Sequence, residues 1–551
     1  MEPAKLKKSS LFPALYASLP RNVKVVGKSF GCLIKLLRTL AGRPHAAMAV
    51  AKLNSPPRMS DPANPTPPHA GWRLECTYAA LPSLLHASGR PVPVAGPKMV
   101  IFNHALARTL GLDPMELSRE EHAAIFAGNI LAEGSQPLAQ AYAGHQYGHF
   151  TPLGDGRAIL LGEQITPTGE RFDIQLKGSG PTRFSRRGDG RAALGPMLRE
   201  YLISEAMHAL GIPTTRSLAV VTTGELVYRQ TPLPGAVLTR VAASHIRVGT
   251  FEWAAAHQDK MALQALADYT IQRHYPELAA TEHPYLALLN AVIERQARLI
   301  AQWMNVGFIH GVMNTDNMAL SGETIDYGPC AFMDTYDPAT KFSSIDQHGR
   351  YAYANQAAIA QWNVTRFAET LLPLLHEAEP RAIEMANEAI HQFPDRFKWH
   401  WLAGMRRKLG LSNEEPEDAA LAEELLQWMH DNEADFTNTF RALSQENLKD
   451  ANLPENEAFR SWHERWVARR NRQTLSSDES RTLMRAANPF VIPRNHKVEE
   501  ALEAAVERND LAVLKRFLSV LQRPYDYTID QSEFQMPPPA GSCGYETFCG
   551  T

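Results

Sequence analysis

The alternation of apolar and polar positions predicts a strand-rich segment in the first half of the chain. Apolar-rich runs at 157–164 and 171–177 flank the turn-forming sequence TPTGE, which is typical of a β-hairpin. The runs at 218–221 and 225–229 predict a second hairpin, because the sequence TTG lies between them. A further strand at 237–241 makes this the sheet-forming part of the chain.

The period of the apolar positions becomes helical in the second half. Residues 285–304 give the clearest amphipathic pattern, and residues 355–525 are predicted to be mostly helical. Two further helices are predicted earlier, at 117–126 and at 196–210, the latter ended by the breaker sequence GIP. A β-rich part followed by an α-rich part favours an α+β fold with a cleft between the two.

Composition and charge exclude several classes of protein. The chain has 551 residues, of which 44% are hydrophobic and 21% charged, as in a globular protein with a large core. Its net charge is −3, so no basic excess indicates a nucleic-acid partner. Five cysteines in no metal-binding spacing indicate a reducing compartment, and no apolar run approaches the ~18 residues of a membrane span. We therefore expect a cytoplasmic protein without membrane or nucleic-acid partners.

Residues 1–43 differ from the rest of the chain in charge. They carry nine lysines and arginines against one acid, a net charge of +8, which leaves −11 on the other residues. The proline-rich stretch 55–68 follows and cannot form regular structure. Two interpretations stay open: a mitochondrial transit peptide, or a start of translation at Met59. In both, residues 1–69 are expected to be an extension without stable structure.

A glycine turn and a lysine–glutamate pair suggest phosphate binding in the strand-rich part. Gly154 and Gly156, in the sequence LGDGR, let backbone N–H groups approach a phosphate, and Arg157 adds a charge. Lys177 closes an apolar strand and Glu200 follows on a predicted helix, as in the pair with which protein kinases hold phosphates. Each feature alone is more often an ordinary turn or a solvated strand end, so neither decides the function.

The sequence HGVMNTDN decides between these interpretations. It begins at His310 and preserves the spacing of the kinase catalytic loop H-R-D-x-x-x-x-N up to Asn317. Asp326 begins a DYG sequence in the position of the kinase D-F-G, so Asn317 and Asp326 are candidate Mg²⁺ ligands. Val312 occupies the position of the kinase base, and Asp316 is the nearest replacement carboxylate. The combination predicts a kinase-like nucleotide site with altered base chemistry.

This interpretation predicts a protein-kinase-like, two-lobed α+β fold with an extended helical C-terminal part. Residues 70–250 would form a β-rich nucleotide-binding lobe, and residues 251–350 an α-rich lobe with the catalytic and metal motifs. Residues 351–551 would form a helical region that packs onto the lobes and ends in a tail with cysteines.

Together with their surroundings, these motifs resemble the selenoprotein O family, also known as the YdiU-type proteins. The resemblance covers roughly residues 70–551. It is carried by QAYAGHQYGHF at 140–150, LGDGR at 153–157, IQLKGSGPTRFSRRGDGRAAL at 174–194, REYLISEAMHALGIPTTRSL at 199–218, LTR at 238–240, SHIR at 244–247, HGVMNTDNM at 310–318 and IDYGP at 325–329.

The resemblance implies a pseudokinase-fold protein adenylyltransferase, which transfers AMP from ATP to Ser, Thr or Tyr hydroxyls of proteins with Mg²⁺ or Mn²⁺. It implies that Asp316 accepts the proton, that Asn317 and Asp326 bind the metal, and that Glu200 holds Lys177. The residues that it implies in nucleotide binding are Gly154, Gly156, Arg157, Lys177, Asp189, Gly190, Arg240 and Arg247. ATP and a protein substrate are then the partners, and we expect a monomer.

Two alternatives and one regulatory question stay open. The loss of the kinase base at Val312 is consistent with a nucleotide-binding module without catalysis, and no motif fixes the base, so UMP transfer is an alternative. Some family members pair a C-terminal cysteine with one after the DYG segment. Here Cys330 is the nearest candidate but stands at a different position, and Cys543 with Cys549 could instead pair locally or stay reduced.

Overall fold

The computed structural model describes residues 70–113, 118–446, 453, 456–528, 531–539, 545 and 547. The predicted extension 1–69 and the cysteines at 32, 543 and 549 lie outside these residues, so the expectations for them stay predictions. Cys76 is a free thiol.

The strands are β1 (Leu74–Glu75), β2 (His86–Ser88), β3 (Lys98–Phe102), β4 (Leu138–Gln140), β5 (Ala143–Gln146), β6 (His149–Pro152), β7 (Ala158–Ile165), β8 (Arg171–Lys177), β9 (Ala192–Ala193), β10 (Arg216–Tyr228), β11 (Pro232–Ala242), β12 (Phe308–Ile309) and β13 (Ala331–Phe332). The helices are α1 (His104–Thr109), α2 (Arg119–Ala127), α3 (Leu194–Ala209), α4 (Val248–Ala256), α5 (Lys260–His274), α6 (Pro284–Asn305), α7 (Gln356–Leu375), α8 (Glu379–Ile390), α9 (Phe393–Lys408), α10 (Asp418–Asp431), α11 (Phe436–Leu443), α12 (Glu457–Arg470), α13 (Ser477–Ala487), α14 (Asn495–Glu507), α15 (Ala512–Leu521) and α16 (Ser532–Gln535).

One antiparallel sheet organises the strand-rich part. Its order is β2–β4–β7–β8–β11–β10–β3, with β1 beside β7 and β9 beside β11. The hairpin of β7 and β8 confirms the first predicted hairpin. The second prediction was wrong, because both of its runs belong to the single strand β10, whose register against β11 shifts between Thr222 and Leu226. Gly224, with a φ of +74°, makes an irregularity inside the strand, and the chain reverses only at residues 229–231.

The two faces of this sheet are buried against different helices. Leu160, Val220 and Leu238 point into a core shared with α3 and the helical part of the chain. Their neighbours along the strands, such as Leu161 and Val221, point into a second core with α1 and α2. This alternation follows from the two-residue period of a strand, so a sheet covered on both faces needs apolar residues at nearly every position.

The predicted helices of the site region are confirmed with shifts of one or two residues. Helix α3 packs on β10 and β11, and carries Glu200 toward the end of β8. Helix α6 packs against α7 and α9, and it leads into β12 and the loop that contains His310.

Mixed helices and antiparallel sheets make the fold α+β. In the described part of the chain no helix is both long and apolar enough to cross a membrane.

Candidate active site

Lys177, the last residue of β8, is held in a buried ion pair with Glu200 of α3. The Lys177 Nζ atom lies 2.6 Å from Glu200 Oε2 and 2.8 Å from Asp326 Oδ1. Burial lowers the pKa of Lys177, and the nearby charge of Arg240 lowers it further. The lysine–glutamate pair that the sequence suggested is therefore formed, and it extends to the aspartate of the DYG sequence.

Two buried arginines complete a cationic cluster around Asp326. Arg240, on β11, places Nη2 2.7 Å from Asp326 Oδ1. Arg247, the residue before α4, places Nη1 2.8 Å from Asp326 Oδ2. Burial alone would raise the pKa of Asp326, but the charges of Arg240, Lys177 and Arg247 outweigh it and hold the pKa well below its usual range. The carboxylate is therefore ionised and surrounded by three positive charges.

The backbone at Asp326 is held in a conformation that few residues adopt. Its φ is +64°, in the left-handed region, which Asp tolerates better than most side chains. His310 fixes the preceding residue, because its Nε2 atom lies 2.9 Å from the main-chain oxygen of Ile325. The imidazole is buried and stacks on Trp303 at 5.4 Å between ring centroids. His310 therefore connects the HGVMNTDN loop to the DYG segment, a structural role.

Asp316 lies in a short 3₁₀ turn, Thr315–Asn317, on the loop after β12. Arg247 Nη1 donates to its main-chain oxygen at 2.8 Å, so one guanidinium group contacts both Asp316 and Asp326. The Oδ1 atom of Asp316 is buried and has no hydrogen-bond partner among the described residues. Burial raises the pKa of Asp316 to about 7, in the range suited to a group that accepts a proton at neutral pH.

Asn317 and Asp326 are suitable ligands for a divalent cation. Asn317 donates from Nδ2 to the main-chain oxygen of Val312 at 2.9 Å, which leaves the amide oxygen as an acceptor. The described residues contain no group of three or more His, Cys, Asp or Glu side chains that could hold a metal alone. Mg²⁺ is commonly held by one or two protein oxygens together with substrate phosphates. The donor set therefore fits a metal that binds with a polyphosphate.

The glycine turn of LGDGR is fastened to the turn that follows β8. Gly154 has a φ of +98°, and a Cβ atom there would lie 2.4 Å from Cγ of Phe184. Thr182 Oγ1 donates to the main-chain oxygen of Asp155 at 2.5 Å, and Ser185 Oγ donates to that of Gly156. These hydrogen bonds hold the two turns against each other. Only glycine fits at position 154, because any Cβ atom there would collide with Phe184.

The contacts shown for the predicted residues Asp189 and Gly190 are with residues outside the cluster around Asp326. Asp189 Oδ2 accepts from Arg229 at 2.9 Å, and this hydrogen bond lowers the pKa of the Asp189 carboxyl. Gly190 has a φ of +67°, and a Cβ atom there would lie 2.1 Å from the carbonyl carbon of Gly180. The structure therefore brings together Lys177, Glu200, Arg240, Arg247 and Asp326, with Asp316 beside them, while Asp189 contacts Arg229 and Gly190 packs against Gly180.

Two residues that sequence reasoning missed also hold Arg247. The ring of Tyr142 lies 4.5 Å from the Arg247 guanidinium carbon, in a cation–π contact. Asp155 is buried, with Oδ1 3.9 Å from Arg247 Nη2, and burial raises the pKa of its carboxyl despite that charge. Asp155 stands inside LGDGR and Tyr142 inside QAYAGHQYGHF, so both lie in motifs that carried the resemblance, although no role was assigned to either.

The buried pair of Lys177 and Glu200, the oxygen donors Asn317 and Asp326 and the carboxylate of Asp316 are groups that a nucleotide-dependent transferase can use. Comparisons with known proteins agree with this class of enzyme. The family model described as "Protein adenylyltransferase SelO" matches residues 90–522. "Protein nucleotidyltransferase YdiU" of Alkaliphilus metalliredigens is 62% identical over 481 residues, 87% of this chain and 98% of that protein. The protein of the same name from Halalkalibacterium halodurans is 61% identical over 485 residues, 88% and 99% of the two chains.

The chain belongs to the SelO family of protein adenylyltransferases, and it is a nucleotidyltransferase. This confirms the resemblance that the motifs carried and the enzyme class that it implied. A nucleotide substrate and a protein substrate follow from the class. The finer assignments, which residues act and on which hydroxyls, are proposals.

Proposed function

We propose that this enzyme transfers AMP from ATP to Ser, Thr or Tyr hydroxyls of proteins and releases pyrophosphate. The observation that carries the proposal is the double contact of Arg247, 2.8 Å from the main-chain oxygen of Asp316 and 2.8 Å from Asp326 Oδ2. This contact supports the proposal because it holds the turn of Asp316, whose carboxylate would accept the proton, next to a cationic pocket. Nucleotidyl transfer needs this combination, because a hydroxyl must lose a proton while a multiply charged leaving group departs.

In the proposed reaction Asp316 accepts the proton of the target hydroxyl. The hydroxyl oxygen forms a bond to the α-phosphorus, and the bond from that phosphorus to the bridging oxygen of pyrophosphate breaks. Lys177, Arg240 and Arg247 stabilise the charge that accumulates on the departing pyrophosphate, and guanidinium groups suit it because they form paired hydrogen bonds. A divalent cation held by Asn317 and Asp326 would neutralise phosphate charge.

The remaining predicted residues have roles in nucleotide binding under this proposal. Gly154 and Gly156 would present backbone N–H groups to phosphates, and Arg157 would add a third guanidinium group. Asp189 and Gly190 would contact the nucleoside end, because their contacts are with Arg229 and Gly180 and not with the cationic cluster that suits phosphates. Mg²⁺ or Mn²⁺ would be the metal, with both ions matching the oxygen donors.

The proposal extends to the organisation of the chain. It would be a monomer with a β-rich lobe at 70–250, an α-rich lobe at 251–350 and a helical region at 351–551, on the pattern of a two-lobed kinase. Cytoplasmic location is part of the proposal and depends on whether residues 1–58 are present in the mature protein.

Transfer of UMP or another nucleotide is a second candidate, and one observation favours keeping it. The relatives carry the name nucleotidyltransferase, which states no base. Competition among the four nucleoside triphosphates, each labelled at the α-phosphate, distinguishes the candidates by which label enters protein.

The test of the first candidate uses purified protein, α-labelled ATP and Mg²⁺ or Mn²⁺. Label is expected in protein, on Ser, Thr or Tyr by mass spectrometry, and Asp326→Ala is expected to abolish it. Label that enters only from γ-labelled ATP would instead identify a kinase. Binding of ATP without any transfer would identify the nucleotide-binding module that the sequence left open.

A further inference from the structure

The strands β5 and β6 form a separate two-stranded hairpin that no role assigned above uses. They pair from Ala143 with Pro152 to Gln146 with His149. The connecting residues Tyr147 and Gly148 have φ values of +51° and +87°, as in the two-residue turns that favour tight hairpins. The hairpin contains most of the motif QAYAGHQYGHF, so a conspicuous stretch of sequence stands without a function.

This hairpin lies directly on the turn that carries Asp316. A Cβ atom at Gly144 would lie 2.0 Å from Asp316 Oδ1, and one at Gly249 would lie 1.9 Å from the main-chain oxygen of Ala143. Two glycines therefore allow β5 to contact both the 3₁₀ turn and helix α4. Because Asp316 Oδ1 has no hydrogen-bond partner among the described residues, its position depends on these neighbours.

A chain of hydrogen bonds among three residues joins the hairpin to the turn. His145 Nδ1 lies 2.6 Å from Glu252 Oε1, and Thr315 Oγ1 donates to Glu252 Oε2 at 2.7 Å. The same Thr315 hydroxyl accepts from the backbone N–H of His145 at 2.7 Å. Glu252, on α4, has a side chain that is only 3% exposed, so both of its oxygens need these donors. The chain closes on itself and joins three separate elements.

We propose that His145 is a positioning residue of the nucleotidyl-transfer reaction, acting through Glu252 and Thr315 on the turn that carries Asp316. The proposal rests on the proposed function, because it needs Asp316 to be the proton acceptor. The His145 imidazole contacts Phe150 and Trp362 edge-on, at 5.5 Å and 5.2 Å between ring centroids, so its orientation is fixed by packing. A fixed imidazole orients the Glu252 carboxylate, which orients Thr315, the residue next to the acceptor.

The first test compares His145→Ala with His145→Asn in the full-length protein, with α-labelled ATP as the probe. The asparagine amide can donate from the position of Nδ1, whereas alanine cannot. His145→Ala is expected to lower kcat about 10- to 100-fold, because small misplacements of a reacting group are costly. The KM for ATP and the melting temperature are expected to change little, and His145→Asn should recover most of kcat. His149→Ala, an exposed position on β6, is the matched control.

The proposal is overturned if His145→Ala keeps the wild-type kcat, or if His145→Asn is no better than His145→Ala. It is also overturned if ATP binding and melting temperature fall together with kcat, since that pattern indicates a purely structural contact. A wild-type protein that transfers no nucleotide would contradict the proposed function instead.

A second pair of variants covers the case in which His145→Ala does not fold. Thr315→Ser keeps the hydroxyl that both donates to Glu252 and accepts from His145, and Thr315→Val keeps the shape but removes the hydroxyl. We expect Thr315→Val to lower kcat by a factor similar to His145→Ala and Thr315→Ser to stay close to wild type. Equal kcat values for the two Thr315 variants would overturn the proposal.

Discussion

The guanidinium group of Arg247 lies 2.8 Å from the Oδ2 atom of Asp326, and the same Nη1 atom lies 2.8 Å from the main-chain oxygen of Asp316. These two acids come from different segments, the 3₁₀ turn after β12 and the DYG sequence. A single rigid side chain at the start of α4 therefore sets the spacing between the proposed proton acceptor and the proposed metal ligand. Tyr142 beneath the guanidinium and Asp155 beside it keep that side chain in place.

Arg247→Lys is expected to lower kcat by about 10²-fold, because an ammonium group keeps the charge but loses the planar fork. Steady-state kinetics with α-labelled ATP measures this, with a smaller change expected in the KM for ATP. Arg183→Lys, at an exposed position on the turn after β8, is the matched control and should leave kcat unchanged. Full activity of Arg247→Lys would show that charge alone is needed there.

The three cations on Asp326 predict that metal and nucleotide bind cooperatively. Both carboxylate oxygens of Asp326 are paired with Lys177, Arg240 and Arg247, so a divalent cation there meets strong repulsion. Phosphates would draw those cations away and expose the oxygens. We expect Mn²⁺ to bind at least about tenfold more tightly with a non-hydrolysable ATP analogue than without it. Calorimetric titration of Mn²⁺ in both conditions measures the ratio.

Asp326→Asn is the control for this cooperativity. It removes the negative charge that attracts the three cations but keeps an oxygen donor. The ratio of Mn²⁺ affinities should then fall toward one. Equal affinities with and without nucleotide in the wild-type protein would contradict the prediction.

Local patterns were sufficient for part of the site. The apolar run before Lys177, the helical period around Glu200 and the spacing from His310 to Asn317 each depend on neighbours in the chain. The structure forms the expected pair of Lys177 and Glu200. The period of apolar residues also gave the ends of α3 and α6 to within two residues. Strand and helix periodicity report local geometry, so such features can be recovered from one sequence.

Contacts between distant segments were not accessible in the same way. The prediction of a hairpin at 218–229 was wrong. The sequence TTG favours a turn when only its neighbours in the chain are considered, but pairing with the long strand β11 keeps β10 continuous past it. Glu252 gave no signal, since an isolated glutamate on a helix is usually solvated, and its partners come from β5 and the 3₁₀ turn. Arg240 and Arg247 were selected only through the family resemblance, because burial of an arginine cannot be inferred from its neighbours.

Gly144→Ala is expected to lower kcat without preventing folding. The added Cβ would lie 2.0 Å from Asp316 Oδ1 and 2.6 Å from Cγ, so the carboxyl group has to move. Because the displaced atom is the proposed proton acceptor, we expect a loss of about 10²-fold in kcat with ATP binding largely retained. Gly89→Ala is a matched control, since its Cβ would lie 3.6 Å from Cδ1 of Ile159, an ordinary contact. Similar kcat values for the two variants would contradict the placement of Asp316.

Lys408, at the end of α9, predicts a specific dependence of stability on pH. Its side chain is buried and has no ion-pair partner among the described residues. The Nζ atom lies 4.0 Å from the ring centroid of Phe440 and 5.2 Å from that of Phe436. Burial lowers the pKa of Lys408 to about 7. Between that value and the usual pKa of a lysine, the unfolded chain binds more protons than the folded one. The contribution of Lys408 to the free energy of unfolding therefore rises with pH above about 7.

Lys408→Met keeps the length of the side chain and removes the charge. We expect it to raise the free energy of unfolding at pH 7 by about 1–2 kcal/mol, because the cost of a buried charge disappears. The gain over wild type should shrink as pH increases toward 9, because the proton that Lys408 loses on folding costs less to remove as pH approaches the usual pKa of a lysine. Chemical denaturation at several pH values measures both effects. Lys515→Met, at an exposed position on α15, is the control. It should change neither the free energy of unfolding at pH 7 nor its dependence on pH. A less stable Lys408→Met protein at pH 7 would mean that the contacts of the ammonium group with Phe440 and Phe436 outweigh its burial.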